Sequence, residues 1–159
     1  MKTLRRYNLA NRDFFLTIVT HDREPLLLRD LNMFWESWSE VKPYAWVIMS
    51  EHLHVMLDCG EARISDLVHR FKTKYSMRYR MNYRDGRVWQ NRFWDHVIRD
   101  QNDMNRHLDY ILYNPVKHGH VTSAMACEYS SFREFVQDGF YRSDWGQVDS
   151  LEFKGEFGE

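Results

Sequence analysis

The sequence predicts an α+β fold, a small antiparallel sheet with helices packed on it. Short runs rich in aromatic and β-branched residues alternate with longer stretches in which apolar residues recur every three or four positions, the periods of half-buried strands and amphipathic helices. The order reads strand, helix, strand pair, helix, strand pair, helix, which is an α+β arrangement rather than a parallel one. The chain has 159 residues, 43% hydrophobic and 16% aromatic. That is one domain with room for a substantial core, and too apolar for a disordered chain.

Taken in order, Asp13 to His21 (Asp-Phe-Phe-Leu-Thr-Ile-Val-Thr-His) reads as the first strand, with Asp22-Arg23-Glu24-Pro25 turning it. Leu31 to Val41 is expected to be helical: Asp30 is placed to cap it, and Leu31, Phe34, Trp35 and Trp38 stand at i, i+3, i+4 and i+7. Pro43 is expected to end it. Tyr44 to Met49 and His52 to Cys59 read as two strands joined through Ser50-Glu51 into an antiparallel hairpin, with Gly60 closing the second. Ile64, Leu67, Val68, Phe71, Tyr75 and Tyr79 mark a long amphipathic helix whose other faces carry Arg70, Lys72, Lys74, Arg78 and Arg80. After a loop over Asn82 to Gly86, short strands are expected at Val88-Trp89-Gln90 and Phe93 to Arg99. Asp100 caps a helix over Gln101 to Asn114, which Pro115 is expected to terminate. A short helix around Ser131 to Val136 precedes a Gly-rich, acidic stretch from Trp145 to Glu159, expected to be loosely held. The chain therefore divides into a domain over residues 1–141 and an acidic, flexible tail over residues 142–159.

The net charge of −1 hides a split. From Arg63 to Arg99 ten Lys and Arg stand against three Asp, while from Val121 to Glu159 eight Asp and Glu stand against three basic residues. A basic middle points to a polyanion partner, and the acidic end to an internal counter-charge that competes for the same surface. Cys59 and Cys127 show no CxxC or zinc-ligand spacing and read as buried, reduced thiols. Met1-Lys2-Thr3-Leu4-Arg5-Arg6 leads into polar residues rather than an apolar leader core, and no apolar run approaches membrane-spanning length. A cytoplasmic setting is the expectation.

The stretch with chemical content is Glu51-His52-Leu53-His54-Val55-Met56-Leu57. On a strand, alternate side chains share a face, so both imidazoles project one way while Leu53, Val55 and Leu57 face a core. Such a pair can chelate one divalent ion, although by itself it is two ordinary polar residues. On a helical wheel, Met104, Leu108, Ile111, Leu112 and Pro115 form the core stripe, with His107, Tyr110 and Asn114 along one flank and Tyr113 opposite. Tyr110 alone would be an aromatic at a helix–sheet boundary, its hydroxyl wet. Together the residues make a site: the Asn114 oxygen can join the imidazoles on an octahedral Mg²⁺ or Mn²⁺, with Tyr110 as a nucleophile one turn earlier.

His52-Leu53-His54 resembles the His-hydrophobic-His motif of HUH single-stranded DNA endonucleases. Tyr110-Ile-Leu-Tyr-Asn114-Pro115-Val116-Lys117-His118-Gly119 is similar to the catalytic helix of that superfamily's single-tyrosine transposases, and in particular of the REP-associated tyrosine transposases. The segment from Gly86 to Asp100 and Tyr129-Ser130-Ser131-Phe132 follow the same pattern, so the likeness runs from about Phe14 to about Phe135. Where the family often has a Pro ahead of the acidic or amide residue preceding the first histidine, this chain has Ser50-Glu51, which alters the turn and not the ligands.

The resemblance implies a ferredoxin-like (RRM-like) sheet of HUH type and a metal-dependent nickase and strand transferase in a bacterial, nucleoid-associated setting. His52, His54 and Asn114 would bind the metal, and Tyr110 would attack a phosphodiester to leave a 5′-phosphotyrosine and a free 3′-OH. The implied substrate is single-stranded DNA beside a hairpin, as in repetitive extragenic palindromic (REP) elements, bound by a monomer or homodimer. Arg70, Lys74, Arg78, Arg92 and Arg99 are candidate phosphate contacts, and Trp89 or Trp94 candidate base platforms. His107 shares the Tyr110 edge and is a candidate base; His96 and Asp95 are open to structural or DNA-contacting roles. Two alternatives stand beside this reading: a non-catalytic hairpin-binding protein of the same fold, and an unrelated His-x-His metalloenzyme acting on small molecules.

Overall fold

Phe14 to Val19 is an unbroken run of buried residues, the pattern of a central strand covered on both faces. In the computed structural model, which describes residues 12–38 and 40–159, that strand is β1 (Asp13–Val19). The leader reading of Met1 to Arg6 lies outside the described residues. With β2 (Ala45–Ile48), β3 (His52–Asp58) and β4 (Trp94–Val97) it forms one antiparallel sheet in the order β2-β3-β1-β4. The register sets Thr17 opposite both His54 and Trp94, and Phe15 opposite both Met56 and His96.

The alternation along the strands divides the interior into two layers. Phe14, Leu16, Ile18, Leu53, Val55 and Leu57 pack against α1 (Leu31–Ser37) and α2 (Ile64–Asn82). Phe15, Ala45, Val47 and Met56 face α3 (Gln101–Lys117) and the short α4 (Phe132–Gln137). His52 and His54 therefore lie beneath α3, and α2 with its cations lies across the sheet from them. Among the described residues no helix is long and apolar enough to cross a membrane.

Four local expectations change. Helix α1 stops at Ser37, well before Val41 and Pro43, because Trp38 leaves helical geometry and its indole donates to Val41 O at 2.6 Å. Val88-Trp89-Gln90 forms only an isolated bridge, Thr20 to Trp89, and the Trp89 ring is core, 5.1 Å from Tyr75 and 5.4 Å from Phe71. Helix α3, capped by Asp100 Oδ1 accepting from Asp103 N at 2.8 Å, runs through Pro115 to Lys117. A proline forfeits one ladder bond, but the burial of Asn114, Pro115 and Val116 holds the last turn. Gly119, at φ +73°, then takes the left-handed conformation that ends the helix, while His118 N donates to Asn114 O and His120 N to Pro115 O.

The fourth change concerns residues 142–159, expected to be a loose tail. Trp145 stacks on Phe132 at 5.6 Å, Ala124 N donates to Gly146 O at 3.0 Å, and Phe157 is 6% exposed in the layer under α3. Three aromatics hidden among the acidic residues (Trp145, Phe153 and Phe157) supply apolar surface that composition alone understates. Near the end, Gly158 at φ +81° passes so close to Trp94 that a Cβ would overlap the indole, so only glycine lets the chain descend there.

Leu16 is fully buried in the layer under α1 and α2. Leu16→Ala is expected to lower unfolding free energy by about 2–5 kcal/mol in urea titrations with the slope unchanged.

Candidate active site

β3 delivers the two imidazoles, 4.9 Å apart between ring centroids and shut off from solvent. Each is aimed by a partner behind it. Glu51 Oε1 lies 3.0 Å from His52 Nδ1. The Thr17 hydroxyl, facing His54 across the ladder, sits 2.7 Å from His54 Nδ1 and donates to Phe157 O at 2.5 Å. A hydroxyl has one proton, so Thr17 must accept from a protonated Nδ1, and the lone pair of His54 is on Nε2. The Glu51 carboxylate, an acceptor, fixes His52 in the same tautomer. Both Nε2 lone pairs thus face α3, as a metal site requires of carboxylate- or hydroxyl-backed histidines.

α3 supplies the other wall. Tyr110, Asn114, Lys117 and His118 fall at i, i+4, i+7 and i+8, one stripe of the helix. Asn114 is fully buried, with Nδ2 3.2 Å from His54 Nε2. Among the described residues, Asn114 Oδ1 and His52 Nε2 are buried without a hydrogen-bond partner. Such orphans are uncommon in folded proteins. Two orphaned acceptors beside a third imidazole lone pair are the donor set of a divalent cation that accepts nitrogen and oxygen together. The residues fit a metal.

Into this pocket the chain inserts Glu159. Glu159 Oε1 accepts from the Tyr110 hydroxyl and from Asn114 Nδ2 at 2.7 Å, and lies 2.9 Å from His54 Nε2. Glu159 Oε2 accepts from Lys117 Nζ at 2.9 Å and lies 3.1 Å from His118 Nε2. Burial opposes its ionisation, but bonds from His118, Lys117 and Tyr110 hold the carboxyl far below its ordinary range. Burial first, and the Glu159 carboxylate second, push the Tyr110 phenol well above its usual value. Phe157 stacks face to face on the Tyr110 ring, 3.8 Å between centroids, and Lys117 Nζ donates to the Tyr110 oxygen at 3.0 Å. Burial pushes His54 down to about 4, so it is neutral near pH 7 with its lone pair against a carboxylate oxygen. That repulsion is relieved by a cation, and His52, His54 and Glu159 bring ligand atoms within 4.8 Å of one another.

The structure thus gathers His52, His54, Tyr110 and Asn114, as the sequence leads one to expect, and adds Lys117, His118 and Glu159. Tyr113 is buried as well, but against the 145–147 segment, its hydroxyl donating to Gln147 O at 3.1 Å. The candidate phosphate contacts are elsewhere. Arg70 and Lys74 pair with Glu40 at 2.7 and 3.2 Å, and Arg78 donates to Ser37 Oγ at 3.1 Å, all on α2 across the sheet. Arg92 is exposed before β4. Arg99 donates to Asp103 Oδ2 at 3.3 Å. Trp89, offered as a base platform, is core, whereas Trp94 is half-buried under Gly158.

His107, the candidate base, is buried in a cluster with Asp103 and His96. Its Nδ1 lies 2.8 Å from Asp103 O on its own helix, and its ring stacks on His96 at 4.3 Å. Asp103 Oδ2 also accepts from His96 Nε2 at 2.7 Å and Arg99 N at 3.0 Å. Burial would raise this carboxyl, but the His96 and Arg99 bonds hold it well below the usual range. His96, Asp103 and His107 meet metal-ligand spacing too. With two arginines on the carboxylate, Arg106 Nη2 being 3.6 Å from Oδ1, the cluster reads as a charged clasp joining β4 to α3.

Comparisons with known proteins find relatives along the whole chain. The family described as "Transposase IS200 like" matches residues 17–99, which include His52 and His54 but stop short of Tyr110. A Haemophilus influenzae protein provisionally named a REP-associated tyrosine transposase is 35% identical, covering 98% of this chain and 99% of its own length. The REP-associated tyrosine transposase of Escherichia coli K12 is 32% identical over 91% of each chain. A solved structure of a REP-associated tyrosine transposase bound to a REP hairpin superposes with a TM-score of 0.85 at 30% identity, covering 100% of this chain and 98% of that one.

Burial lowers the His107 pKa to about 4. Below pH 6.5 the unfolded chain takes up a proton that the folded protein refuses, so this stability is complete above about pH 6.5 and is lost as pH falls toward 4. Urea midpoints are expected to drop across that window, and more shallowly in His107→Gln.

Proposed function

The chain belongs to the REP-associated tyrosine transposases of the IS200-like transposase family, and from that premise we propose that it is a metal-dependent single-stranded DNA endonuclease and strand transferase acting beside hairpins. The observation that carries this reading is the convergence of the Tyr110 hydroxyl, His54 Nε2 and Asn114 Nδ2 on one anionic oxygen, Glu159 Oε1. That oxygen stands in for a phosphoryl oxygen of the scissile strand. His52, His54 and Asn114 would hold Mg²⁺ or Mn²⁺, which when bound polarises the phosphodiester and offsets charge on the transition state. Glu51 and Thr17 keep both imidazoles in the ligating tautomer.

The Tyr110 oxygen attacks phosphorus, the 3′-oxygen leaves, and the 5′ end stays on the tyrosine. The new ester retains the phosphodiester energy, so a 3′-OH can reverse the step and join strands without a nucleotide cofactor. The bound hairpin in the related structure supports a folded DNA stem as the recognised element here. Arg70, Lys74, Arg78, Arg92 and Arg99 lie away from the pocket and serve as outlying phosphate contacts. The acidic tail acts at the pocket, through Glu159, rather than along the α2 surface.

A second reading, a hairpin binder that cleaves nothing, is favoured by Glu159 sitting on the nucleophile. A labelled hairpin oligonucleotide with Mn²⁺ separates the two. We expect a denaturation-resistant adduct from wild type and Tyr113→Phe, none from Tyr110→Phe, and none with chelator; absence from wild type would favour the binder. Glu159→Gln is expected to raise the initial rate about tenfold, the effect of weakening the tail by ~1.4 kcal/mol. A rate unchanged in Glu159→Gln would mean that the tail does not limit access.

A further inference from the structure

We propose that Lys117 is a catalytic residue of this reaction, its ammonium holding the phenolic oxygen of Tyr110 while charge on that oxygen rises and falls. The inference rests on the function proposed above. It begins with helix α3 continuing through Pro115. Seven residues are close to two full turns, so Lys117 returns to the face of Tyr110. Its Nζ lies 3.0 Å from the phenolic oxygen and 4.8 Å from the ring centroid. The same ammonium lies 2.9 Å from Glu159 Oε2, while Tyr110 donates to Glu159 Oε1. One cation thus touches both the nucleophile and the anion that occupies the pocket.

The surroundings of the phenol make such a partner necessary. Its ring is stacked by Phe157 at 3.8 Å and edged by Phe153 at 5.3 Å, and the residue is 1% exposed. A phenolate formed there loses water, and stabilisation must come from fixed donors. Asn114 serves the metal side of the pocket. An ammonium has three donors and no lone pair, so Lys117 cannot itself be a metal ligand and acts beside the ion.

In cleavage the Tyr110 oxygen forms a bond to phosphorus, and the P–O3′ bond breaks with its electron pair kept by the 3′-oxygen. The phenolic proton passes to water and the 3′-oxygen takes a proton from water, so acid and base balance. In joining, the tyrosinate is the leaving group, and the same ammonium receives its charge; both directions depend on the one contact.

Lys117 also binds Glu159, so its role is measured in Glu159→Gln, where the tail effect is reduced. Single-turnover adduct formation with saturating labelled hairpin oligonucleotide and Mn²⁺ is expected to fall about 100-fold in Lys117→Met, the scale of losing one transition-state donor. Lys117→Arg should stay within about tenfold of its parent, and added ethylamine should partly restore Lys117→Ala, because a positioned charge is what is missing. Mn²⁺ affinity by calorimetry and oligonucleotide affinity by anisotropy should be unchanged. A Lys117→Met rate equal to its parent's overturns the proposal. So does a loss that disappears at saturating Mn²⁺ and oligonucleotide, or a Lys117→Arg as slow as Lys117→Met. A wild-type chain and a parent that form no adduct overturn the nuclease reading itself, a result distinct from a variant failing beside an active parent.

Discussion

Four polar side chains, His52, His54, Tyr110 and Asn114, lie almost wholly out of solvent between the sheet and α3, and their desolvation is the constraint on which the rest of the architecture turns. Buried imidazoles and amides demand partners. Some are met from below, by Thr17 and Glu51, which fix the tautomers. The Asn114 amide is met by Glu159. Among the described residues His52 Nε2 and Asn114 Oδ1 are met by no hydrogen bond. An apolar substitution at these places would pack more readily, so the polarity serves the site and not the core.

The tail answers the same electrostatic problem from outside. Glu159 brings a full negative charge to a place ringed by Lys117, His118, His54, Asn114 and the Tyr110 phenol. Phe157 and Phe153 anchor the approach on the tyrosine ring, and Gly158 lets the backbone pass Trp94. Carboxylate and phosphodiester are both anions that accept several hydrogen bonds. A pocket that holds one is suited to the other.

Much of this was legible in the sequence, for reasons of range. The period of two on β3 puts His52 and His54 on one face, and the period of 3.6 on α3 aligns Tyr110 with Asn114; both are local geometry. The sheet-and-helix fold follows from the same periods. What stayed hidden depends on contacts across long stretches of chain. The Thr17–Phe157 and Tyr110–Glu159 bonds join residues 140 and 49 positions apart, and no local pattern announces them. Composition hid the tail's role, because acidic residues and glycines mask the three aromatics that bind it. Proline grammar hid Lys117: reading Pro115 as a stop removes the turn that carries it, although the signal was present in Gly119, a better terminator four residues on.

The sheet separates two functions that the sequence runs together. The cations of α2 and the histidines of β3 are close in sequence, yet the alternation along β3 sends Leu53, Val55 and Leu57 toward α2 and the imidazoles toward α3. The charge on α2 therefore lies across the sheet from the imidazoles and reaches the pocket only as a field. The cation that does reach the Tyr110 oxygen, Lys117, arrives on α3 with Tyr110 and Asn114. One helix thus fixes the spacing of Tyr110, Asn114 and Lys117 along a rigid rod, whereas His52 and His54 come from a strand. A displacement of α3 over the sheet would shift all three together, and the clasp of Asp103 to His96 and Arg99 at its N-terminal end resists that motion.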